Sequence, residues 1–261
     1  MSGPITGHYA DEFAEAHGKQ LVVRVGLGAA MPLAGTGCGI ARDALARIAA
    51  DRGGRPFDAA SLTEDYELGL RIAAPAGQAL FARVRETDDG PLVAVRAYFP
   101  ATLRAAARQK ARWMTGIALA GWDRIGWARA LAFADHWMRM RDRRAPLAVL
   151  IVATAYVATI AWLLRAALHA SCGVPLLHDR VEQRLVALTG ALLIWRLAWR
   201  IGCTGAAYGW RESAWSVPRF FVGNLVALIA APRAIRRYVA MLAGSAPVWD
   251  KTRHDFPRLN A

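Results

Sequence analysis

The feature that most constrains the fold of this chain is a stretch of 20 residues, Ala145 to Leu164, that contains no charged side chain. At 1.5 Å per residue, an α-helix of this length spans about 30 Å, the thickness of the hydrocarbon core of a bilayer. The basic residues that precede this stretch belong on the cytoplasmic side of a membrane; they are Arg139, Arg141, Arg143 and Arg144. The sequence therefore predicts a transmembrane helix that begins at the cytoplasmic face.

Two further apolar stretches follow. Leu185 to Ile201 predicts a second span, in which Arg196 and Arg200 lie near the end and extend their charged groups to the interface. Phe220 to Ala231 has only 12 residues, which is short for a span, and arginines flank it on both sides. We expect this third stretch to lie as an amphipathic helix on the inner leaflet.

The composition supports a protein that is partly in water and partly in lipid. Apolar residues make up 55% of the 261 residues, the mean hydropathy is +0.21 and the net charge is +13. Such a charge requires an anionic partner, either a nucleic acid or a membrane surface. Arginines and tryptophans flank the apolar stretches, as is typical of a membrane interface, and no RNA-binding aromatic motif is present. We therefore expect no nucleic-acid partner.

The first 144 residues predict a mixed α/β domain. A glycine-rich turn runs from Ala34 to Ile40, and Ser61 caps a helix in which Glu64 follows three residues later. From Ala101 to about Gly121 the pattern is helical. Three apolar segments are typical of strands, the last two joined by a turn at Asp88 to Gly90; they are Leu21 to Val25, Ala79 to Val84 and Pro91 to Val95.

The glycine-rich turn lacks the Lys-Ser/Thr pair of a P-loop and the spacing of a dinucleotide-binding loop. Gly35 and Gly37 instead predict a tight turn that exposes backbone amides to a bound ligand. The three cysteines, Cys38, Cys172 and Cys203, have no metal-ligand or redox spacing and are expected to be small apolar residues. The sequence therefore predicts no metal site of its own.

Two short motifs carry candidate chemistry. Thr63-Glu64-Asp65 places two carboxylates side by side, with Glu67 close by, and repulsion between like charges favours a raised pKa suited to a general base. The second motif contains Gln109, Arg112 and Trp113. Arginine and glutamine side chains can hold a diphosphate, and a tryptophan ring offers a face to a sugar. A solvated helix start and an ordinary interfacial helix are the alternative interpretations.

At these residues the sequence resembles the membrane-embedded, cellulose-synthase-like members of glycosyltransferase family 2, which carry Thr-Glu-Asp followed by Gln-x-x-Arg-Trp. Three segments resemble the phage-adsorption protein B group of that family: Ser61 to Leu70, Arg108 to Trp122 and Val248 to His254. The resemblance covers almost the whole chain. It implies a partial GT-A-like glycosyltransferase domain in residues 1–144, followed by an α-helical membrane region in residues 145–261.

The resemblance also implies roles for individual residues in an inverting sugar transfer. Asp65 would be the general base that deprotonates the acceptor hydroxyl. Thr63, Glu64, Gln109, Arg112 and Trp113 would bind substrate, and the turn that contains Gly35 and Gly37 would face the acceptor. His254 would belong to a gating segment or to a solvated tail.

The sequence departs from the family pattern in two places. Ala97 stands where relatives often carry an acidic residue before Tyr-Phe-Pro. No Asp-x-Asp motif for the divalent metal, Mg²⁺ or Mn²⁺, precedes Gly35 in a strand context. The chain is therefore expected to be an acceptor half plus membrane anchor, inactive alone, that needs an upstream donor-binding polypeptide.

The resulting hypothesis is an inverting glycosyltransferase of polysaccharide synthesis in a bacterial inner membrane. It would be multi-pass, with its catalytic part in the cytoplasm, and it would act on a nucleotide-sugar and a glycan acceptor beside an outer-membrane export partner. Two alternatives stay open. One is a non-catalytic membrane component of an envelope export or phage-receptor complex, and the other is a small transporter, which the position of the motifs outside the spans disfavours.

Overall fold

The computed structural model describes residues 3–73, 77–95, 97–173 and 179–249, and this part of the chain is mainly helical. Six shorter helices come first: α1 (Pro4–Glu15), α2 (Leu21–Gly26), α3 (Arg42–Ala50), α4 (Glu64–Ala73), α5 (Leu103–Trp113) and α6 (Ala120–Ile125). Another short helix, α7 (Phe133–Arg143), leads into three long ones: α8 (Ala145–Cys172), α9 (Arg180–Tyr208) and α10 (Trp210–Leu242). Two π-helical turns, Ala16–Gln20 and Met114–Leu119, join α1 to α2 and α5 to α6.

The prediction of an α/β, GT-A-like domain is wrong for the described residues, which contain no strand or sheet. Leu21–Gly26 is helical, because the chain continues without a break from α1 through the π-helical turn into α2. The short β-branched run in this segment favours a strand only weakly, and a continuing helix overrides that preference.

The two strands predicted at Ala79–Val84 and Pro91–Val95 form only an antiparallel ribbon. Its pairing consists of one bridge, between Arg85 and Leu92, and two flanking backbone hydrogen bonds of 2.9 and 3.1 Å. The predicted turn is present, since the Gly90 N–H donates to the Thr87 carbonyl. Leu80 and Val93 are 81% and 69% exposed, and no further described strand pairs with the ribbon to extend it into a sheet.

The buried core lies between the helices around α5 and α10. Ala111, Met114 and Ala118 pack against Ala230, Ala231 and Ala234 of α10. Small residues at a helix–helix contact let the two backbones approach closely. Helix α5 begins at a Thr102 cap, whose hydroxyl accepts the N–H of Ala105.

Helix α1 is held against the α9–α10 pair by buried charges. Arg219 of α10 makes two contacts of 3.0 Å with the carboxylate of Asp11, which is fully buried. Arg219 also donates to Glu212, and Thr204 of α9 donates to Asp11. A Cβ at Gly7 would lie 2.6 Å from the Arg219 side chain, so Gly7 provides the room for this arginine.

Three described helices, α8, α9 and α10, are long and apolar enough to cross a membrane. Helix α8 confirms the helix predicted from Ala145, and it extends beyond Leu164 to Cys172. The short stretch Phe220 to Ala231 is part of the 33-residue helix α10, which contains Pro218 and Pro232. Whether α10 spans the membrane or lies on the inner leaflet stays a prediction.

Helix α4 and the segment before the glycine-rich turn cross with their backbones in contact. A Cβ at Gly69 would lie 2.4 Å from the carbonyl oxygen of Met31 and 2.6 Å from the amide nitrogen of Leu33. Only glycine allows this approach. The crossing holds the turn beside the first residues of α4, where the Thr63-Glu64-Asp65 motif lies.

Candidate functional site

Asp65 lies in the first turn of α4 and faces the glycine-rich turn. A Cβ at Gly35 would lie 2.8 Å from Asp65 Oδ2, and the φ angle of Gly35 is +77°. Gly37 also has a positive φ, +67°, and its α-carbon faces Val95 of the ribbon. The turn predicted at Gly35 and Gly37 is therefore present, and it places the Gly35 backbone directly against the carboxylate.

Burial raises the pKa of the Asp65 carboxyl. The backbone N–H of Tyr66, which donates to Asp65 Oδ1 at 2.8 Å, and the positive charge of Arg112 act in the opposite direction. The direction of the shift agrees with the sequence prediction, but its cause is burial, whereas the sequence had suggested repulsion from neighbouring carboxylates. A carboxylate with a raised pKa is a better proton acceptor near neutral pH.

Gln109 and Arg112 lie one turn apart on α5, and Arg112 reaches the residues just before α4. Arg112 Nη1 donates to the Leu62 carbonyl at 3.0 Å, which ties the two motifs together just before Thr63. Gln109 is 4% exposed, and its Oε1 has no hydrogen-bond partner among the described residues. The structure thus brings Asp65 and Arg112 within electrostatic reach of each other, as the sequence predicted.

Trp113 points away from this pair, into an aromatic cluster on α1. Its ring meets the rings of Tyr9 and Phe13 edge-on, with centroids 6.0 and 6.5 Å apart. Phe99 completes the cluster by stacking on Tyr9. Trp113 is half-buried, and the described contacts place it between α5 and α1.

Thr63 and Glu64 take different positions at the start of α4. Thr63 is 3% exposed and packs over Gly116, whose Cβ would lie 2.5 Å from the Thr63 hydroxyl oxygen. Glu64 lines a shallow depression of about 290 Å³ together with Ser61, Phe57 and Trp249. Thr63 therefore supports the helix start, and Glu64 faces an open surface.

Trp249 also lines the depression, and the guanidinium of Arg112 lies 5.1 Å from the centre of the Trp249 ring. This distance is within the range of a cation–π contact. Trp249 belongs to the third segment of the family resemblance. His254, in the same segment, lies outside the described residues.

A buried network of ion pairs holds the first turn of α4 and was not predicted from the sequence. Glu67, 2% exposed, accepts hydrogen bonds from the Ser61 hydroxyl at 2.6 Å and from Arg124 Nε at 2.7 Å. Ser61 is therefore paired with Glu67, and the predicted capping partner, Glu64, is free to face the depression. Arg124 also binds Asp58, in the loop before α4.

The pKa of Asp58 is lowered by its hydrogen bonds and by the positive charges in this network. Burial alone would raise it, but the Ala60 N–H and the guanidinium groups of Arg52 and Arg124 lower it to about 2. Arg124 and Glu67 are 57 positions apart in the chain, so no local pattern could have indicated this pairing. The one signal in the sequence is the density of charges in the loop before α4.

A divalent metal does not fit the described residues. Within residues 3–73, 77–95, 97–173 and 179–249, no group of three or more His, Cys, Asp or Glu side chains is placed to hold an ion. Two further carboxylates of this region, Glu67 and Asp58, are already paired with Arg124. No chemical step at the Asp65 site is therefore assigned to a metal held by these residues.

The site and the membrane helices together define a class of protein. Residues 2–242 match the family described as glycosyl transferase family group 2, and the chain belongs to this family. Its membrane helices and Thr-Glu-Asp motif agree with that membership. Members of the family generally use a divalent metal and act on a nucleotide-sugar and a glycan acceptor.

Two curated relatives are similar over most of the chain. They are Bacteriophage adsorption protein B of Escherichia coli (strain K12) and Bacteriophage N4 adsorption protein B of Escherichia coli O157:H7, each 31% identical over 271 residues. The match covers 95% of this chain and 36% of each relative, so the chain spans about a third of their length. The resemblance to the phage-adsorption protein B group is confirmed. No solved structure matches the chain.

Proposed function

We propose that this chain supplies the acceptor-side part of an inverting glycosyltransferase that extends a polysaccharide at the bacterial inner membrane. Asp65 takes the proton from the acceptor hydroxyl as that oxygen attacks the anomeric carbon of a nucleotide-sugar. The nucleoside diphosphate leaves from the opposite face, so the configuration at the anomeric carbon is inverted. One observation carries this proposal: a half-buried carboxylate with a raised pKa lies against a glycine turn and near an arginine.

The residues around Asp65 support separate tasks in this reaction. The Gly35 backbone approaches the carboxylate with no side chain between them, so no Cβ displaces Oδ2 from its position. Arg112, anchored on the Leu62 carbonyl, places a positive charge close to Asp65, where a departing diphosphate needs compensation. Glu64 and Trp249 line the adjoining depression, which suits a sugar ring because it combines a carboxylate with an aromatic face.

Binding of the nucleotide and its metal is proposed to come from a donor-binding polypeptide or from further sequence. The described residues provide no carboxylate cluster for the ion. One arginine contributes about 1.5 to 3 kcal/mol to phosphate binding, which corresponds to roughly a ten- to hundredfold effect. This is well below what a metal site together with a base-binding segment supplies. Within this chain, residues 1–144 are the proposed transfer domain and residues 145–261 are the proposed membrane region.

Replacing the proposed base tests this function. Asp65→Asn, assayed in inner-membrane vesicles that contain the donor-binding polypeptide, is expected to reduce transfer from UDP-sugars into polymer by roughly 10²- to 10⁴-fold. The reason is that an amide cannot accept the proton in the transition state. Membrane insertion is expected to be unchanged, because Asp65 lies outside the apolar helices.

The matched control is Asp43→Asn, which removes an exposed carboxylate from the first turn of α3. It is expected to transfer sugar at the unmodified rate. Wild-type rates for Asp65→Asn would show that this carboxylate is not the base.

A second candidate function is a non-catalytic component of an envelope export or phage-receptor complex. The names of the two relatives, which refer to bacteriophage adsorption, favour this candidate. The same variant separates the two functions. If cells carrying Asp65→Asn adsorb phage normally and also make the normal amount of polymer, the chain acts as a surface or export component and its carboxylate has no catalytic role.

A further inference from the structure

A second polar cavity, distinct from the Asp65 site, lies beside the beginning of α8. It has a volume of about 120 Å³ and lies between α2 and α7. The polar residues that line it are Gln20, Arg24, Arg141, Asp142 and Arg144. The lining thus contains three arginines and a single carboxylate.

The carboxylate in the cavity is already neutralised. Arg24 Nη1 donates to both oxygens of Asp142, at 3.0 and 2.8 Å, and the Tyr66 hydroxyl donates to Oδ2 at 2.8 Å. No described carboxylate pairs with Arg141 or Arg144. The cavity therefore keeps two uncompensated positive charges.

Arg24 also has an unused donor inside the protein. The side chain is 4% exposed and is held by Nε, which donates to the Ala30 carbonyl at 2.5 Å. Its Nη2 is buried and has no hydrogen-bond partner among the described residues. Buried guanidinium donors are normally satisfied, since an unsatisfied one costs free energy. An anion with several acceptor oxygens in the cavity would balance the two charges, and it would satisfy this donor if the Arg24 guanidinium turned toward the cavity.

The position of the cavity indicates where such an anion comes from. Arg144 is the residue that immediately precedes α8, the most apolar of the three long helices. On the other wall, Val22 and Val23 of α2 and Leu27, the residue after it, are 37%, 42% and 50% exposed. Basic pockets beside the cytoplasmic ends of membrane helices are suited to lipid head groups. Exposed apolar side chains next to the pocket would meet the acyl region of the same leaflet.

We propose that this cavity binds a phosphate group, with Arg24, Arg141 and Arg144 as its ligands. The surroundings favour the phosphate of an anionic phospholipid over inorganic phosphate from solution. The bound headgroup fixes the junction between α7 and α8 at the membrane surface. The cavity lining does not include Asp65, so a negative result for phosphate binding would leave the proposed sugar transfer untouched. A negative result for sugar transfer would likewise leave the phosphate site untouched.

The test compares two sources of the phosphate group, a phospholipid headgroup and inorganic phosphate. The full chain is reconstituted in nanodiscs of phosphatidylcholine with phosphatidylglycerol, and phosphatidylglycerol that remains bound is measured by native mass spectrometry. In a second arm, nanodiscs of phosphatidylcholine alone are titrated with inorganic phosphate, and binding is measured by the shift in thermal unfolding. The variants are Arg141→Gln/Arg144→Gln and, as a charge-matched control, Arg47→Gln/Arg129→Gln, which removes two exposed arginines outside the cavity lining.

We expect wild type and control to retain phosphatidylglycerol, and the cavity variant to bind it at least about tenfold more weakly, because two charge-assisted contacts are lost. Arginine-dependent binding of inorganic phosphate alone would also support the site and would identify the soluble anion as its ligand. If the cavity variant does not fold, Leu21→Trp fills the cavity and leaves every arginine in place. Binding that is absent in both arms, or equal in wild type and the variants, would overturn the proposal.

Discussion

Two neighbours set the environment of Asp65: Gly35, which has no side chain, and Arg112, which carries a positive charge. Gly35 contributes no side chain, and its backbone lies close enough that a Cβ would contact the carboxylate. Arg112 contributes charge from across the α4–α5 contact. Since burial raises the pKa of Asp65 and Arg112 lowers it, these two effects together set the pH range in which the carboxylate can accept a proton.

This balance predicts how transfer responds to pH. The base must be ionised, so activity falls as pH decreases through a pKa that lies above that of an ordinary aspartate. Arg112→Gln removes the charge that stabilises the ionised form, which raises the pKa of Asp65 further and moves the acid limb of the rate profile to higher pH. Arg112→Lys keeps a charge and is expected to move it less. A profile that stays in place for Arg112→Gln would contradict the assigned contact.

Gly35→Ala tests the backbone approach. Alanine at φ +77° costs roughly 1 to 2 kcal/mol, and its Cβ would push the Asp65 carboxylate from its position. A displacement of about 1 Å at a reacting group costs roughly 10²-fold in rate, so we expect a loss of that order in polymer formation.

Gly28→Ala is the matched control for this variant, because Gly28 has a similar φ of +65° but open space around it. It introduces comparable backbone strain without touching the carboxylate. Equal rates for the two variants would show that strain, and not the contact with Asp65, determines the loss.

Among single residues, the sequence predicted those whose role depends on neighbours in the chain. Asp65, Gly35 and Arg112 were proposed as site residues because motifs and glycines at turns are local signals, and the structure brings the three close together. Arg24 and Arg124 were not identified, because their partners, Asp142 and Glu67, are 118 and 57 positions away. The burial of Trp113 against α1 was missed for the same reason, since it depends on the docking of a distant helix.

At the scale of elements, Asp11 and Arg219 are the pair that fixes α1 on the membrane helices. Arg219→Gln would leave the carboxylate of Asp11 buried without its charge partner. Breaking a buried pair in this way costs about 3 to 5 kcal/mol. We expect a lower unfolding temperature in detergent and faster proteolysis of α1.

Arg211→Gln controls for the loss of a charge on the same helix, since Arg211 is exposed. Its effect is expected to stay within about 0.5 kcal/mol. If the two variants unfolded at the same temperature, the buried pair would not be what holds α1 in place.

The helices and strands that could be predicted from the sequence are those that form without contacts to distant segments of the chain. Helix α8 could be predicted from the sequence because a helix forms all its backbone hydrogen bonds within one segment. A long apolar segment of this kind needs only lipid around it. The apolar segments Ala79 to Val84 and Pro91 to Val95 are typical of strands, but strands form a sheet only when further strands pair with them. In the described residues the ribbon has a single bridge, and the predicted sheet was therefore wrong.

At the scale of the whole molecule, the apolar helices predict integral attachment to the membrane. Large side chains along α8, such as Leu150, Val157 and Leu164, are more than 60% exposed. Lipid is the environment that covers such a surface at lowest cost. After washing of membranes with carbonate or with high salt, the protein is expected to remain in the pellet. Release by salt alone would show that the basic charge of the surface holds it there.

Gly69 has a consequence for how sequences of this kind can diverge. Inside a helix, glycine is about 1 kcal/mol less favourable than alanine, yet the crossing of the Met31–Leu33 backbone leaves no space for a methyl group. A larger residue at this position becomes acceptable only if residues 31–33 retreat at the same time, and that retreat would carry Gly35 away from Asp65. Two segments that share no side-chain contact at this point are therefore bound to change together, and an alignment would reveal them as a covarying pair.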